Sequence, residues 1–270
     1  MLITDEKRGI KYKYWGASSP RAVLLLIHGM GAHPGRWDFL ADFFLPKGIS
    51  SYAIELKGFG ESKGLKGHID SFDSYYDDIR RLRDIISREN PGKKIFISGE
   101  SLGGLISFIM AVREPDLFDG LICVSPAFAN RLKLTFLKYL QLFFASLFDR
   151  RKQFHVPFTS EMCTRDEHYR RVMDSEPREH RLATAKLLYN TLFAQMRVSM
   201  MKARLEIPVL FLLAGEDSLI NPEKSQKIFA RLESNDKNII FYPGMYHALS
   251  IELGREKVFE DILGWISERV

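Results

Sequence analysis

Short apolar segments recur along the chain and predict the strands of a buried sheet. They are too short for free-standing helices, and continuous apolarity is typical of strands that are covered on both faces, as in parallel sheets. These predicted strands lie at residues 22–27, 51–56, 95–97, 121–124, 208–213 and 238–242. Residues 9–15 instead alternate polar and aromatic side chains, which predicts an early, half-buried strand at an antiparallel edge.

Helical patterns separate the predicted strands. They lie at residues 37–45, 72–88, 102–112, 222–232 and 256–269, and Pro46 and the turn Asn90-Pro91-Gly92 end the first two. Strands that alternate with helices through short turns predict a mostly parallel sheet with right-handed crossovers. The 270 residues, 46% of them hydrophobic, are enough for one large α/β domain with an insertion or for two small domains.

The alternation of strand and helix stops after Ser125-Pro126 and resumes near residue 207. We interpret residues 127–206 as an insertion over the strand ends. Within it, residues 176–204 have helical periodicity, and residues 131–152 are too short and too charged to span a bilayer, which needs ~20 mostly apolar residues. The latter segment places apolar side chains on one helical face: Leu132, Phe136, Leu137, Leu140, Phe143, Phe144, Leu147 and Phe148.

Charge and cysteine content narrow the classes of function. The net charge of +5 and the pI of about 9.1 permit anionic partners, but acidic residues are interspersed almost everywhere, so we expect no nucleic-acid binding. Cys123 and Cys163 belong to no C-x-x-C pair and are interpreted as reduced thiols, with no metal site and no cofactor. The first nine residues contain no apolar segment typical of secretory signals, which favours a cytoplasmic protein.

Residues 93–104, KKIFISGESLGG, carry the clearest chemical motif. The apolar run breaks around Ser101 and resumes as a helical pattern, which predicts a strand, a sharp turn and a helix. Glycines at positions 99 and 103 avoid steric clashes across such a turn, which explains the G-x-S-x-G spacing. Ser101 is therefore a candidate nucleophile at the carboxyl edge of the sheet, beside a helix N-terminus that favours negative charge. Taken alone, the motif also fits a glycine-rich turn without chemistry.

Two further candidate groups follow the last two predicted strands. Asp217, with Glu216 beside it, comes after the first of these strands, and His247 comes after the second. Because ligands bind at the carboxyl edge of open α/β sheets, we expect these groups near Ser101. A serine hydroxyl needs a base, and an imidazole base needs a partner that fixes its tautomer. Singly, a turn aspartate and a surface histidine are the simpler interpretations, and the pattern does not choose between the two carboxylates.

Acyl transfer also needs amide donors for the oxyanion that forms on the substrate. The usual donors are the N–H of the residue after the nucleophile and one N–H in the loop after the third strand, here Leu102 and Met30. His28, at the end of that strand, is a second candidate base. We interpret it instead as a residue that orders the loop.

These motifs resemble those of the α/β-hydrolase superfamily, and within it the monoacylglycerol lipase and lysophospholipase group. The resemblance runs nearly end to end and rests on His28-Gly29-Met30-Gly31, the turn at residues 58–62, the elbow at residues 99–104, Thr164-Arg165-Asp166, Gly215-Glu216-Asp217 and His247. It implies a sheet of about eight strands flanked by helices, a core of residues 1–126 and 207–270, and a helical cap of residues 127–206 inserted after the sixth strand. It also implies a triad of Ser101, Asp217 and His247, and so selects Asp217 over Glu216.

The chain departs from the family pattern at three positions. Glu100 and Leu102 stand where the elbow of the family usually has histidine and methionine, and Lys57 stands where arginine is common. These departures leave the triad intact and bear on the substrate.

The resemblance implies a carboxylic ester hydrolase of the serine type that cleaves monoacyl lipid esters. A short- or medium-chain carboxylesterase, a thioesterase or a peptidase are alternatives, because the fold does not set the leaving group. A peptidase that binds a free amine would use acidic residues of the cap, for which Asp166, Glu167 and Glu179 are available. A non-catalytic ligand-binding protein is disfavoured because all three triad positions are filled, and a dehalogenase because its aspartate would replace Ser101.

The apolar helical face of the insertion suggests one further partner. Arg150-Arg151-Lys152 follow it directly, which fits a cap that transiently contacts a membrane or micelle surface and a protein that is peripheral to the membrane. The alternative is a cap helix that packs onto the core, as most amphipathic helices do. The two interpretations can hold together.

Overall fold

The structure is a computed structural model and describes residues 2–131 and 135–270, apart from the side chains of residues 136, 138 and 139. Two members of the predicted apolar helical face, Leu132 and the side chain of Phe136, lie outside the described residues. The strands are β1 Leu2–Asp5, β2 Ile10–Trp15, β3 Ala22–Ile27, β4 Ile49–Glu55, β5 Lys94–Glu100, β6 Gly120–Val124, β7 Gln153–His155, β8 Leu182–Thr184, β9 Val209–Ala214 and β10 Lys237–Tyr242.

Eight of these strands form one sheet, in the order β1-β2-β4-β3-β5-β6-β9-β10. Neighbouring strands from β4 to β10 in this order are parallel, whereas β2 is antiparallel to both β1 and β4. The predicted α/β sheet, mostly parallel and of about eight strands, is confirmed. Its parallel strands end at one edge, which is where the candidate groups were expected.

Helices cover both faces of the sheet. They are α1 Asp38–Phe44, α2 Asp73–Glu89, α3 Leu102–Arg113, α4 Phe136–Phe148, α5 Ser160–Cys163, α6 Glu167–Ser175, α7 Ala185–Met200, α8 Pro222–Arg231 and α9 Arg255–Ser267. Side chains of β3 alternate between two cores: Val23 and Leu25 pack in the one that includes α2, α3 and α8, while Leu24 and Leu26 pack with α1 and α9. Both faces are buried, so no polar position interrupts this strand.

The N-terminal edge of the sheet differs from the prediction. Of the predicted residues 9–15, Ile10–Trp15 form the antiparallel strand β2, but β2 has neighbours on both sides, and the edge strand is β1. The sequence of β1, LITD, is four residues long and largely half-buried, too short to show the alternation that identifies a strand.

The chain between β6 and β9 holds α4 to α7 and a two-stranded hairpin of β7 and β8. This segment follows the sixth strand, as predicted, but the helical prediction for residues 176–204 was wrong at its start. Helix α7 begins only at Ala185, after β8, and the Thr184 side chain caps it by accepting from Leu187 N–H at 3.3 Å. Three-residue strands carry too little pattern to be predicted. The limits 127–206 of the cap stay a prediction.

Candidate active site

Ser101 occupies the turn between β5 and α3. Its backbone has φ 57° and ψ −117°, a conformation that costs a non-glycine residue ~1–3 kcal/mol. Three hydrogen bonds hold it there: Ser101 N–H donates to Val124 O at 3.0 Å, and Ser101 O accepts from Leu105 N–H at 3.1 Å and from Ala127 N–H at 2.9 Å. Ser101 thereby lines a cavity at the carboxyl edge of the sheet.

Close backbone contacts explain the glycines around Ser101. A Cβ atom on Gly99 would lie 2.2 Å from Gly103 O, and one on Gly103 would lie 2.0 Å from Ile27 O. A side chain at either position would therefore push the turn away from its neighbours. Gly29, in the loop after β3, lies next to the serine itself. A Cβ atom on Gly29 would lie 3.2 Å from Ser101 Cβ and 3.8 Å from Ser101 Oγ. That loop runs directly beside the candidate nucleophile.

Asp217 and His247 form a buried pair at the ends of β9 and β10. His247 Nδ1 and Asp217 Oδ2 lie 2.7 Å apart, and each residue is at most 5% exposed. The other carboxylate oxygen, Oδ1, accepts from Leu219 N–H at 2.9 Å and from Ile220 N–H at 2.8 Å. These bonds fix the carboxylate as an acceptor, which favours the tautomer of His247 that has its proton on Nδ1 and leaves Nε2 unprotonated. Glu216, the competing carboxylate, is exposed to solvent.

Neighbouring charges set the base strength of His247. Burial by itself lowers the pKa of this imidazole, but the Asp217 carboxylate raises it more, through its charge and its hydrogen bond, and Glu100 acts in the same direction. The positive charge of Arg36 lowers this pKa by a smaller amount. The net result is a pKa above the ordinary value of histidine, as expected for an imidazole beside a buried carboxylate.

Ser101 and His247 line the same cavity. Within the part of the chain that the structure describes, no hydrogen bond joins the hydroxyl to the imidazole. Hydrogen bonds of this kind are often long before substrate binds and shorten in the complex.

The amides of Leu102 and Met30 are available as donors. Leu102 is the first residue of α3, so its N–H has no partner within the helix, and among the described hydrogen bonds neither amide donates to a protein acceptor. Both residues line the cavity beside Ser101. Both amides are therefore candidate donors to an oxygen atom bound in the cavity.

The cavity has a volume of about 330 Å³ and is walled mainly by apolar side chains. Elements between β6 and β9 supply much of this wall, including Leu142, Phe158, Leu188 and Leu192, and the polar groups Arg36, Glu100, Asn130 and Gln141 line it as well. In the described ranges, no cluster of three or more His, Cys, Asp or Glu side chains could hold a metal ion.

Of the acidic residues that an amine-binding peptidase would use, two form ion pairs with arginines and the third is exposed to solvent. Glu179 forms a two-pronged ion pair with the buried Arg36, in which Nη2 and Oε2 are 2.7 Å apart. Asp166 caps α6 and pairs with Arg255 at 3.2 Å. Glu167 is exposed, and none of the three lines the cavity.

The Thr164-Arg165-Asp166 stretch joins the inserted segment to the loop that carries His247. Ala248 N–H donates to Cys163 O at 2.8 Å, and the hydroxyl of Thr164 donates to Ile251 O at 3.2 Å. The buried carboxylate of Glu252 accepts from Arg165 N–H at 3.2 Å. These contacts give the motif a structural role that its sequence did not reveal.

His28 orders a loop, as predicted from the sequence. Its Nε2 accepts from Leu56 N–H at 3.1 Å, and its Nδ1 lies 2.8 Å from Gly29 O, which requires a neutral ring protonated at Nδ1. Burial lowers the pKa of His28 to about 4. The ring is committed to two backbone partners and does not line the cavity.

Comparison with known proteins assigns the family. The family model described as serine aminopeptidase, S33, matches residues 18–254. The chain belongs to this family of α/β-hydrolases. Mouse monoglyceride lipase is 28% identical over 280 residues, covering 100% of this chain and 90% of the mouse protein. A phospholipase of Bacillus subtilis is 27% identical over 252 residues, covering 91% of this chain and 95% of its own.

A solved structure agrees with these matches. The crystal structure of a monoacylglycerol lipase from Paleococcus ferrophilus has a TM-score of 0.88 at 25% identity, covering 97% of this chain and 99% of that one. The predicted fold, the resemblance to monoacylglycerol lipases and the enzyme class, a carboxylic ester hydrolase of the serine type, are confirmed. Among the residues that the structure describes, no helix is long and apolar enough to cross a membrane.

Proposed function

We propose that this α/β-hydrolase cleaves the ester bond of monoacyl lipids, as a monoacylglycerol lipase or lysophospholipase, with Ser101, His247 and Asp217 as its catalytic triad. One observation carries the proposal: the buried pair of Asp217 and His247 shares with Ser101 a mainly apolar cavity that elements of the insertion wall. A buried base with a fixed tautomer beside a strained serine is what acyl transfer requires.

The acylation step follows from this geometry. His247 Nε2 takes the proton of Ser101 Oγ as that oxygen bonds to the ester carbonyl carbon, and the N–H groups of Met30 and Leu102 bind the resulting oxyanion. A single such donor lowers the barrier by ~3–4 kcal/mol because it is oriented before the charge develops. Asp217 stabilises the imidazolium. The imidazolium then gives its proton to the leaving alcohol as the ester C–O bond breaks.

Deacylation uses the same groups in the same order. A water molecule replaces the alcohol, His247 takes one of its protons, and the hydroxide formed attacks the acyl carbon on Ser101. The proton returns to Ser101 Oγ as the acyl C–O bond breaks, and the fatty acid leaves. No metal or organic cofactor takes part in either step.

The cavity supports an acyl chain as the bound part of the substrate. Its volume of about 330 Å³ lies within the ~300–1,000 Å³ typical of small-molecule sites, and its wall is mostly apolar. Of the relatives named above, the monoglyceride lipase supports a substrate with one acyl chain on glycerol, and the phospholipase supports a lipid with a phosphate-bearing headgroup. The peptidase alternative is weaker, because Glu179 and Asp166 are neutralised by Arg36 and Arg255.

We also propose that helix α4 contacts the membrane or micelle that holds the substrate. Described members of its predicted apolar face are exposed, with Leu137 at 73%, Phe144 at 50% and Phe148 at 83%, whereas Leu142 on the opposite side is buried and lines the cavity. Helix α7 packs against α4 and adds three exposed apolar side chains, Phe193, Met196 and Met200. Such contact would make the protein peripheral to the membrane.

A substrate series tests the main proposal. Rates are compared for p-nitrophenyl esters with acyl chains of two to eighteen carbons, the matching thioesters, monoacylglycerol and lysophospholipid, with an amino-terminal peptide amide as the peptidase probe. We expect kcat/KM to rise with chain length up to the capacity of the cavity and then to level off or fall. A preference for acetyl esters, or faster release from the peptide amide, would contradict the proposal.

A control variant links the preference to the cavity. Leu188 lines the cavity, so Leu188→Trp should shorten it and move the preferred acyl chain to a smaller number of carbons. Activity on the shortest esters should stay near that of the wild type.

A further inference from the structure

Glu100 is a buried carboxylate that the triad chemistry does not use. It is the last residue of β5, directly before Ser101, is 5% exposed, and lines the cavity. Its Oε1 accepts from Ser250 N–H at 3.0 Å, and its Oε2 accepts from Ser250 Oγ–H at 2.9 Å. Among the described residues, no basic side chain forms an ion pair with it. Burying a carboxylate without an ion-pair partner costs folding free energy, so its presence beside Ser101 indicates a functional role.

The partner of this carboxylate belongs to the histidine loop. Ser250 is 2% exposed and lies three residues after His247, between β10 and α9. The two hydrogen bonds therefore tie the strand that presents the nucleophile to the loop that presents the base. Both Ser250 groups donate, so they favour the ionised, acceptor-only form of Glu100.

The charges around His247 come from three side chains on different elements. Asp217 faces Nδ1 from the end of β9, Glu100 acts from the end of β5, and Arg36 acts from the loop after β3 with its charge balanced by Glu179. Burial raises the pKa of Glu100 above the ordinary value of a glutamate, and the hydrogen bonds from Ser250 and the charges of His247 and Arg36 offset only part of this increase. The positive charge that forms on His247 therefore favours the ionised form of Glu100 at the moment when that charge develops.

We propose that Glu100 is a positioning residue for the hydrolysis, which fixes the loop of His247 through Ser250 and places a second negative charge beside the imidazolium that forms during acylation. The inference rests on the proposed function, because it assigns Glu100 an effect on the same base. Asp217 sets the tautomer of His247, and Glu100 adds to its basicity and holds its position.

The test is the pH dependence of kcat/KM between pH 5 and 9, measured on a p-nitrophenyl ester. Glu100→Gln keeps the size of the side chain and removes its charge, so the pKa of His247 falls and its neutral form persists to lower pH. The acidic limb of the profile is the range in which kcat/KM falls as the pH drops. We expect this limb to move to lower pH by about one unit, with a fall in kcat of roughly 10- to 100-fold. An unmoved acidic limb would overturn the inference, because a purely structural role would lower the rate equally at every pH.

Three further variants separate charge from position. Glu100→Asp keeps the charge and shortens the reach, so the acidic limb should stay near that of the wild type while kcat falls. Ser250→Ala removes one tether and should lower kcat with little movement of the limb. A wild-type kcat in Ser250→Ala would overturn the positioning role even if Glu100→Gln fails to fold. Glu223→Gln makes the same chemical change at an exposed site and should leave the profile unchanged.

The wild-type protein separates this inference from the proposed function. Loss of the proposed function would appear as an absence of Ser101-dependent ester hydrolysis in the wild type. Failure of the inference alone would appear as normal, Ser101-dependent hydrolysis with the same pH profile in wild type and Glu100→Gln.

Discussion

At the residue scale, the reactivity of the site depends on side chains that lie far apart in sequence. Asp217 and Glu100 both raise the pKa of His247, and each is held by hydrogen bonds: Asp217 accepts from N–H groups of its own loop, and Glu100 accepts from Ser250 in the loop of His247. The triad candidates could be predicted because each follows a strand that a run of apolar residues predicts, although β10, the strand before His247, is largely exposed at the edge of the sheet. The bond between Glu100 and Ser250 could not, because the two residues are 150 positions apart and Ser250 belongs to no motif. The one feature of the sequence that pointed to this bond was Glu100 itself, which stands before Ser101 where the family usually has histidine.

His28 leads to a prediction about stability at low pH. Its folded-state pKa of about 4 lies below the value near 6.5 of an unfolded chain, so the folded state prefers the neutral ring. This contribution to stability is complete above pH 6.5 and is lost as the pH falls towards 4. Between pH 7.5 and 5 the wild type should lose about 2 kcal/mol more unfolding free energy than His28→Gln.

Urea unfolding at the two pH values measures this difference. Glutamine can still accept from Leu56 N–H but does not titrate, so the two proteins should differ chiefly in the titration of residue 28. His168→Gln, at an exposed position, serves as the control and should follow the wild type. An equal loss of stability in His28→Gln and wild type would show that His28 does not oppose protonation in the folded state.

At the element scale, α4 has two apolar sides with different surroundings. One side, with Leu142, lines the cavity, and the other, with Leu137 and Phe148, is exposed. The sequence pattern identified the helix and its apolar face, but periodicity cannot tell whether such a face meets protein or lipid. Periodicity also could not predict β1, β7 or β8, because an alternation of polar and apolar residues cannot be recognised over only three or four positions.

The basic residues after α4 provide a test of its proposed membrane contact. Arg150, Arg151 and Lys152 are exposed, and each basic residue near an anionic surface contributes ~1 kcal/mol to binding. Replacing all three by glutamine should weaken binding to anionic vesicles by roughly 10- to 100-fold and lower the hydrolysis of monoacylglycerol in those vesicles. Activity on a soluble ester should change little.

Co-sedimentation and activity assays on the same vesicles check this prediction. The matched control replaces three exposed lysines elsewhere, Lys7, Lys93 and Lys227, and should bind the vesicles nearly as well as the wild type. An equal loss of activity on vesicles and on the soluble ester would instead support a helix that only packs on the protein.

At the scale of the whole molecule, the sheet edge and the segment inserted after β6 build the site together. The order of strands and helices sufficed to predict that the candidate nucleophile, acid and base would share that edge, because parallel strands end on the same side. The contacts between the inserted segment and the histidine loop, such as Ala248 N–H to Cys163 O, could not be predicted. They join residues from separate, irregular parts of the chain, where neither periodicity nor spacing constrains the partner.

The most direct test of the proposed function is the release of fatty acid from a monoacylglycerol by wild type and Ser101→Ala, with Ser199→Ala, an exposed serine, as the control. With the thermal midpoints of all three unchanged, we predict that Ser101→Ala loses at least ~10⁴-fold in kcat/KM, while Ser199→Ala matches the wild type. Near-normal fatty acid release by Ser101→Ala would contradict the assignment of Ser101 as the nucleophile.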